Sequence, residues 1–298
     1  MTIFISVMLP VLLVFLIGYV VQKWRKVDIK PISTLAIYIL TPALVFETFY
    51  YAEMNMQYVY MVVFAAVLLF AIILINKLYA WKMKYRQDVE SGLILSTAFM
   101  NSGNYGAPII LFAYGQEGFA FAVSFMVLQA VIMNFFGVYY AARGGSGVKM
   151  ALQVLLRMPV TYAVLLAVLL KLLGAEVPDN LMQPVELISQ AAIPTVMLIL
   201  GMQLAQIEWT KFDWGKVSFG VILRLFISPV IAWGITLLMP LDPLLAKVLI
   251  VAAAMPSAAT IVMYAVEFDA KPKLVSSITL ITTLLSVLTI TIILMILG

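Results

Sequence analysis

Asn101-Ser102-Gly103-Asn104-Tyr105-Gly106-Ala107-Pro108 stands in the middle of an apolar run, about residues 90–112, that is long enough to cross a bilayer. In a helix interior, glycine costs about 1 kcal/mol and proline about 3 kcal/mol relative to alanine. Two glycines and a proline within eight residues therefore predict a broken helix. A break frees backbone N–H and C=O groups at a depth where lipid offers no partner. Such groups are tolerated only inside protein or beside a watery cavity. Asn101, Ser102 and Asn104 are candidates to satisfy them or to reach a ligand, with Gly103, Gly106 and Pro108 shaping the break.

A second run, about residues 244–266, carries the matching signal Ala252-Ala253-Ala254-Met255-Pro256-Ser257-Ala258-Ala259-Thr260. Its small residues let backbones approach closely. The simplest arrangement has the two broken helices crossing at the membrane midplane, with Pro256, Ser257 and Thr260 completing a substrate site. Proline suits the first position of a helix, so the second half-helices are expected to start near Pro108 and Pro256. Two half-helix N-termini pointing inward could hold an anion. The first half-helices end at the same crossing with carbonyls, where a cation could bind. The competing reading is a pair of proline kinks with no ligand.

Composition agrees with a bilayer setting. Apolar residues make up 64% of the chain and charged ones 11%, where a soluble domain carries about 25% charged. With no Cys and no His there are no disulfides, no thiolate or imidazole metal sites, and no Cys or His nucleophile-and-base pair. Neither HExxH nor GxSxG is present, and no cofactor or metal is expected. The run from Thr2 to Val21 has no basic residue before it and no small-x-small cleavage site after it, so it reads as a retained helix.

Ten spans follow, at about 3–22, 32–50, 57–79, 90–112, 118–141, 152–174, 182–205, 216–239, 244–266 and 273–297. Basic residues set their orientation. Lys23, Arg25, Lys26, Lys30, Lys77, Lys82, Lys84, Arg86, Arg143, Lys149, Arg157, Lys211, Lys216, Lys271 and Lys273 fall on one side, and only Lys171 and Lys247 on the other. That puts the basic loops in the cytoplasm and both termini outside. Trp24, Trp81 and Trp209 read as interface anchors.

The chain also resembles itself. Met8-Leu9-Pro10-Val11 matches Arg157-Met158-Pro159-Val160, Thr41-Pro42 matches Ile193-Pro194, and Met100-Asn101-Ser102 matches Met255-Pro256-Ser257. The order is kept and the spacing is nearly constant. Residues 1–141 and 151–298 are then five-helix repeats joined by a cytoplasmic linker at 142–150. An odd number of spans inverts the second half, which is a transporter architecture. The expected fold is all-α, integral to the membrane, a 5+5 inverted repeat with spans four and nine broken and crossing.

Arg224 is the one charge well inside an apolar run. It either meets a substrate anion or gates access, or it snorkels to the cytoplasmic headgroups. Pro42 and Pro194 are expected to bend their helices. Gln129, Asn134 and Gln203 read as interhelical hydrogen-bonding residues, and Thr279, Thr282, Ser286 and Thr289 as one packing stripe.

On the Asn-x-Gly-Asn-x-Gly-x-Pro run, Thr41-Pro42, Ile193-Pro194, Met255-Pro256-Ser257 and the ten-span layout, the whole chain resembles the auxin efflux carrier family in its bacterial branch. The resemblance implies a scaffold and a transport domain, spans four and nine crossing as in the bile acid:sodium symporters, and carriage of malate, malonate or another carboxylate, or of an auxin-like anion. The expected partners are a small organic anion and the lipid bilayer of the cell membrane, with no nucleic acid. A coupling ion, Na+ or H+, and a homodimer stay open. Glu47, Glu117 and Glu267 lie near span ends, which gives proton coupling little support. The alternatives are a sodium-coupled symporter of the bile-acid type and a channel or membrane receptor. An enzyme is not expected.

Overall fold

The computed structural model describes residues 4–52, 55–142, 153, 156–206 and 213–298. The linker beyond Ala142 lies outside them, with Arg143, Lys149, Trp209 and Lys211. The described residues are helical almost throughout, and their one β feature is an isolated antiparallel bridge between Met100 and Ser257. The helices are α1 (Phe4–Arg25), α2 (Ile29–Tyr51), α3 (Met56–Lys82), α4 (Gln87–Ala98), α5 (Ser102–Ala141), α6 (Pro159–Leu172), α7 (Asp179–Ala205), α8 (Trp214–Leu237), α9 (Pro243–Ala253), α10 (Thr260–Glu267) and α11 (Pro272–Leu297).

Among the described residues, α1, α2, α3, α5, α7, α8 and α11 are the 7 helices long and apolar enough to cross a membrane. The sequence leads to an expectation of ten spans, a count the described residues leave open: of the expected sixth, about 152–174, part lies outside them and its helix α6 has 14 residues. The breaks cut α4, α9 and α10 to lengths below a full crossing. The expected fourth and fifth spans meet at Gly115, whose backbone leaves helical geometry at φ 67 and ψ −163, so α5 is two helices joined at a kink and counts as one long run. Only glycine adopts that backbone without strain.

Side-chain exposure fits lipid. On α3, Val59, Val63, Val67, Phe70, Leu74 and Leu78 are exposed along one face, while Phe64, Leu68, Ile72 and Asn76 are buried along the other. Both faces are apolar, so water gives no reason to bury one of them. In such helices packing depends on shape and close approach.

Prolines sit at a recurrent local feature. Of the five wide π turns among the described residues, Met133–Gly137 has no proline after it, and the others cover Phe4–Met8, Ala36–Leu40, Ser102–Gly106 and Leu223–Ile227. Two residues beyond each of those four stands a proline: Pro10, Pro42, Pro108 and Pro229. Thr41 N–H donates to Ala36 O and Ser228 N–H to Leu223 O, one residue further back than in an α-helix. A proline ring collides with the carbonyl four residues earlier, and the wider turn moves that carbonyl aside. Pro42 thus reshapes its helix through the turn before it. In α7 the helical pattern lapses for one residue at Ala191, just before Pro194.

The chain divides into two compact units, each drawing on both halves of the sequence. The first comprises Met1–Met54, Gly103–Val127 and Leu155–Glu208. Here α1 and α7 pack backbone to backbone through two glycines. A Cβ on Gly201 would press into the Phe15 carbonyl, and one on Gly18 into the Leu198 carbonyl. Tyr51 OH donates to Glu186 Oε1 (3.0 Å), Tyr50 OH accepts from Val177 N–H (3.0 Å), and Lys171 Nζ donates to Ala52 O.

The second unit comprises Asn55–Ser102, Leu128–Val154 and Trp209–Gly298. Its core holds Leu93, Val217, Val221, Leu225 and Ile278. Gly220 lies against Ile278, Tyr79 stacks on Phe219 with ring centroids 3.6 Å apart, and Lys271 pairs with Asp88 at 3.1 Å.

Candidate functional site

The site grows out of two helix ends in the second unit. Helix α9 starts firmly: Asp242 caps it, accepting from Leu244 N–H (2.8 Å) and Leu245 N–H (3.1 Å), and Pro243 follows at the first position. It stops at Ala253 because Pro256 cannot donate and disfavours helix in the residue before it. Helix α4 stops at Ala98, where Phe99 turns to extended geometry at φ −113 and ψ 116.

The two freed backbones pair with each other. Asn101 N–H donates to Pro256 O (2.8 Å) and Ala258 N–H to Phe99 O (3.0 Å), with Met100 opposite Ser257. This answers the question every break in a membrane helix raises, namely where its main-chain groups find partners. The Ser257 hydroxyl donates to Ser96 O, and Ser257 N–H donates to Thr282 Oγ1 (3.3 Å). Ser257 is fully buried, and Asn101 and Ser102 are buried.

Arg224 comes to the same place from the π turn of α8. Its side chain is 0% exposed. Nη1 donates to Thr97 O (2.7 Å), and Nη2 donates to Ser228 Oγ (2.8 Å) and to Ala253 O. Ser228 Oγ donates to Ala253 O as well (3.0 Å). Arg224 Nε has no partner among the described residues. Thr97 and Ala253 belong to the last turns of α4 and α9, so one guanidinium joins the carbonyl ends of both half-helices. The headgroup-snorkelling alternative does not describe this geometry.

The other expected residues are distributed as follows. Pro256 lies inside the paired segment, and the helix restarts at Thr260, which is exposed. The restart is four residues later than expected because Pro256 O and Ala258 N–H are engaged with the α4 break. Pro108 is the second residue after the π turn, close to the restart expected for it. Gly103, Asn104, Gly106 and Pro108 belong to the first unit, where Gly103 lies against Met126 and Tyr105 packs on Phe15 at 5.4 Å. No side-chain hydrogen bond of Asn101 or Asn104 is present among the described residues.

Asn134 donates to Ala130 O and accepts from Tyr264 OH, whereas Gln203 Oε1 is buried without a partner. In the α11 stripe, Thr282 and Thr289 bond back to their own helix, and Thr282 also reaches Ser257. Trp24 and Trp81 are exposed at helix ends, and Arg25 lies over Trp24 at 4.4 Å.

Sequence reasoning missed Ser96, Thr97 and Ser228. The polar pair just before the break, and a serine one turn after Arg224, were the available signals. It also missed a cavity of about 670 Å³ in the first unit, lined mainly by apolar residues with Glu47, Gln116, Ser189 and Gln190 among them. No group of three or more metal-ligating side chains occurs among the described residues.

Comparison with known proteins gives a consistent result. A family described as membrane transport protein matches residues 3–150 and again 146–294. An uncharacterized transporter of Methanocaldococcus jannaschii is 28% identical over 299 residues, covering 96% of each chain. An uncharacterized transporter of Methanothermobacter thermautotrophicus is 28% identical over 291 residues, covering 93% of each.

Proposed function

The chain belongs to the membrane transport protein family, that of the auxin efflux carriers, and on that premise we propose that it is a secondary carrier for a small organic anion of the carboxylate class. The observation that carries this is the pair of broken helices tied together around a buried guanidinium. The break leaves Asn101 with an uncommitted amide, next to Ser102 in the chain and paired through its N–H with Pro256, while Ser257 and the start of α10 at Thr260 follow in the facing segment. A helix N-terminus carries roughly half a positive charge and free N–H donors. An anion is the ligand such groups suit, and alternating access between two inverted halves is the mechanism a broken-helix carrier uses.

The test is a thermal-unfolding screen of the purified protein against malate, malonate, other short carboxylates and indole-3-acetate. A ligand at a hundred times its Kd stabilises by about 2.7 kcal/mol, a rise in Tm of several degrees. Asn101→Ala is expected to weaken the best response about tenfold, the worth of one charge-assisted hydrogen bond. A flat response to every carboxylate at millimolar concentration removes the anion reading.

The same proposal includes ten crossings of the cell membrane, as a 5+5 inverted repeat with both termini outside. The chain contains no Cys, so cysteines placed singly at Thr2, Gly298 and Lys84 report sidedness. An impermeant maleimide added to intact cells is expected to label the first two, and Lys84→Cys only after permeabilisation. Labelling of Thr2→Cys and Gly298→Cys from the cytoplasmic face alone rules out this topology.

A further inference from the structure

We propose that Arg224 is the resident cation of the crossing: its guanidinium fills the place between two converging helix C-termini where a co-transported cation would otherwise bind, so this carrier takes its anion without Na+. The inference rests on the anion-carrier reading above and decides a question that reading leaves open, whether a coupling ion is needed.

Broken-helix carriers bind their coupling cation with unwound backbone carbonyls and half-helix C-terminal ends. Here those ends are Thr97 O of α4 and Ala253 O of α9, and both already accept from Arg224. Ser228 Oγ adds to the same cluster, donating to Ala253 O at 3.0 Å. Each helix C-terminus carries roughly half a negative charge. Two of them facing a buried site would repel an anion, and one guanidinium roughly cancels the pair. With those two ends cancelled, the partial positive charge at the start of α10 is left to set the sign, and the neutral amide of Asn101 adds donors.

The same geometry separates this role from direct ligation. A carboxylate gripped by arginine takes two parallel N–H donors of the guanidinium fork. Both Nη atoms of Arg224 are committed to protein acceptors, and only Nε is unpartnered. Arg224 is therefore a positioning residue that acts through its field and through the two helix ends. Lysine is no equal substitute, because a single ammonium lacks the planar fork that spans both carbonyls.

Three measurements on purified protein test this, and none needs the substrate to be known. First, the Tm of the unaltered chain is expected to be the same in NaCl and in KCl of equal ionic strength. Second, Arg224→Ala is expected to lower Tm by roughly 5–10 °C, because the buried Thr97 O loses its side-chain donor, Ala253 O keeps only Ser228, and a large buried side chain is removed. Third, guanidinium chloride at a few millimolar is expected to restore at least half of that loss in Arg224→Ala and to add nothing to the unaltered chain. Stabilisation of the unaltered chain by Na+ over K+ overturns the proposal, as does a folded Arg224→Ala that is indifferent to guanidinium. If Arg224→Ala yields no folded protein, Arg224→Lys decides with the sodium comparison: a Tm below the parent's supports the role, and the parent Tm overturns it. Failure of the carboxylate screen is read from a separate set of curves, so it sinks the anion reading without touching these results.

Discussion

Gly201→Val is expected to cost the protein its fold. A Cβ at position 201 would lie within the van der Waals surface of Phe15 O and 2.8 Å from the Phe15 carbonyl carbon. The reciprocal contact is as tight, with a Cβ on Gly18 reaching 3.0 Å from the Leu198 carbonyl carbon and 3.1 Å from its Cα. In each case the obstacle is backbone, so no side chain can swing aside. Overpacking a core costs about 1–3 kcal/mol when side chains can adjust. Here α1 and α7 must separate along their whole contact, and a loss of about 3 kcal/mol or more is expected against a typical total of about 5–15 kcal/mol. Size-exclusion profile and Tm in detergent are the readouts, with Gly201→Ala intermediate. Gly234→Ala is the control, since a Cβ there meets nothing within 4 Å. A monodisperse Gly201→Val at the parent Tm would show that the two helices do not depend on this contact.

The second large effect concerns function. Pro256→Ala is expected to abolish the carboxylate response, or to weaken it at least tenfold, in protein that is still inserted and monodisperse. The flanking residues Ala252, Ala253, Ala254, Met255, Ala258 and Ala259 are mostly strong helix formers. Only the proline, disfavoured by about 3 kcal/mol relative to alanine, holds the segment open. With alanine there, α9 can continue into α10. The bonds from Asn101 N–H to Pro256 O and from Ala258 N–H to Phe99 O are then lost. Pro256→Gly keeps part of the helix-breaking character and is expected to retain more of the response. A Pro256→Ala variant that responds to carboxylates as the parent does would mean that the open segment is not where the anion binds.

The parts of the structure legible in the sequence were those with a steep local cost. Gly103, Gly106, Pro108 and Pro256 each penalise helix enough to announce the breaks; Gly103 and Gly106 lie in a π turn and Pro256 in a non-helical segment, while Pro108 is α-helical and the first break falls just before the glycines, at Phe99–Asn101. Two things were not legible. The pairing of Phe99–Asn101 with Pro256–Ala258 joins segments more than 150 residues apart and leaves no pattern in either. Gly18 and Gly201 are lone glycines in apolar runs, and nothing local distinguishes them from any other small residue until the opposing backbone is seen. Arg224 was conspicuous as a charge out of place. Its partners are main-chain carbonyls, and carbonyls have no letter in a sequence. The boundary expected between the fourth and fifth spans, between 112 and 118, falls at Gly115, a kink rather than a loop.

The main-chain tie at the crossing has a consequence for how such a protein diversifies. Its two hydrogen bonds run from N–H to C=O and use no side chain. If the anion binds at the crossing as proposed, substitution at Met100, Asn101, Ser257 or Ala258 can change what is recognised while the knot stays tied, provided proline remains at 256. A lineage could move from one anion to another by exchanging a few side chains, without first finding a new way to hold two broken helices together. On that reading, substrate choice is a readily altered trait laid over a main-chain frame, so two relatives with the same crossing need not share a cargo.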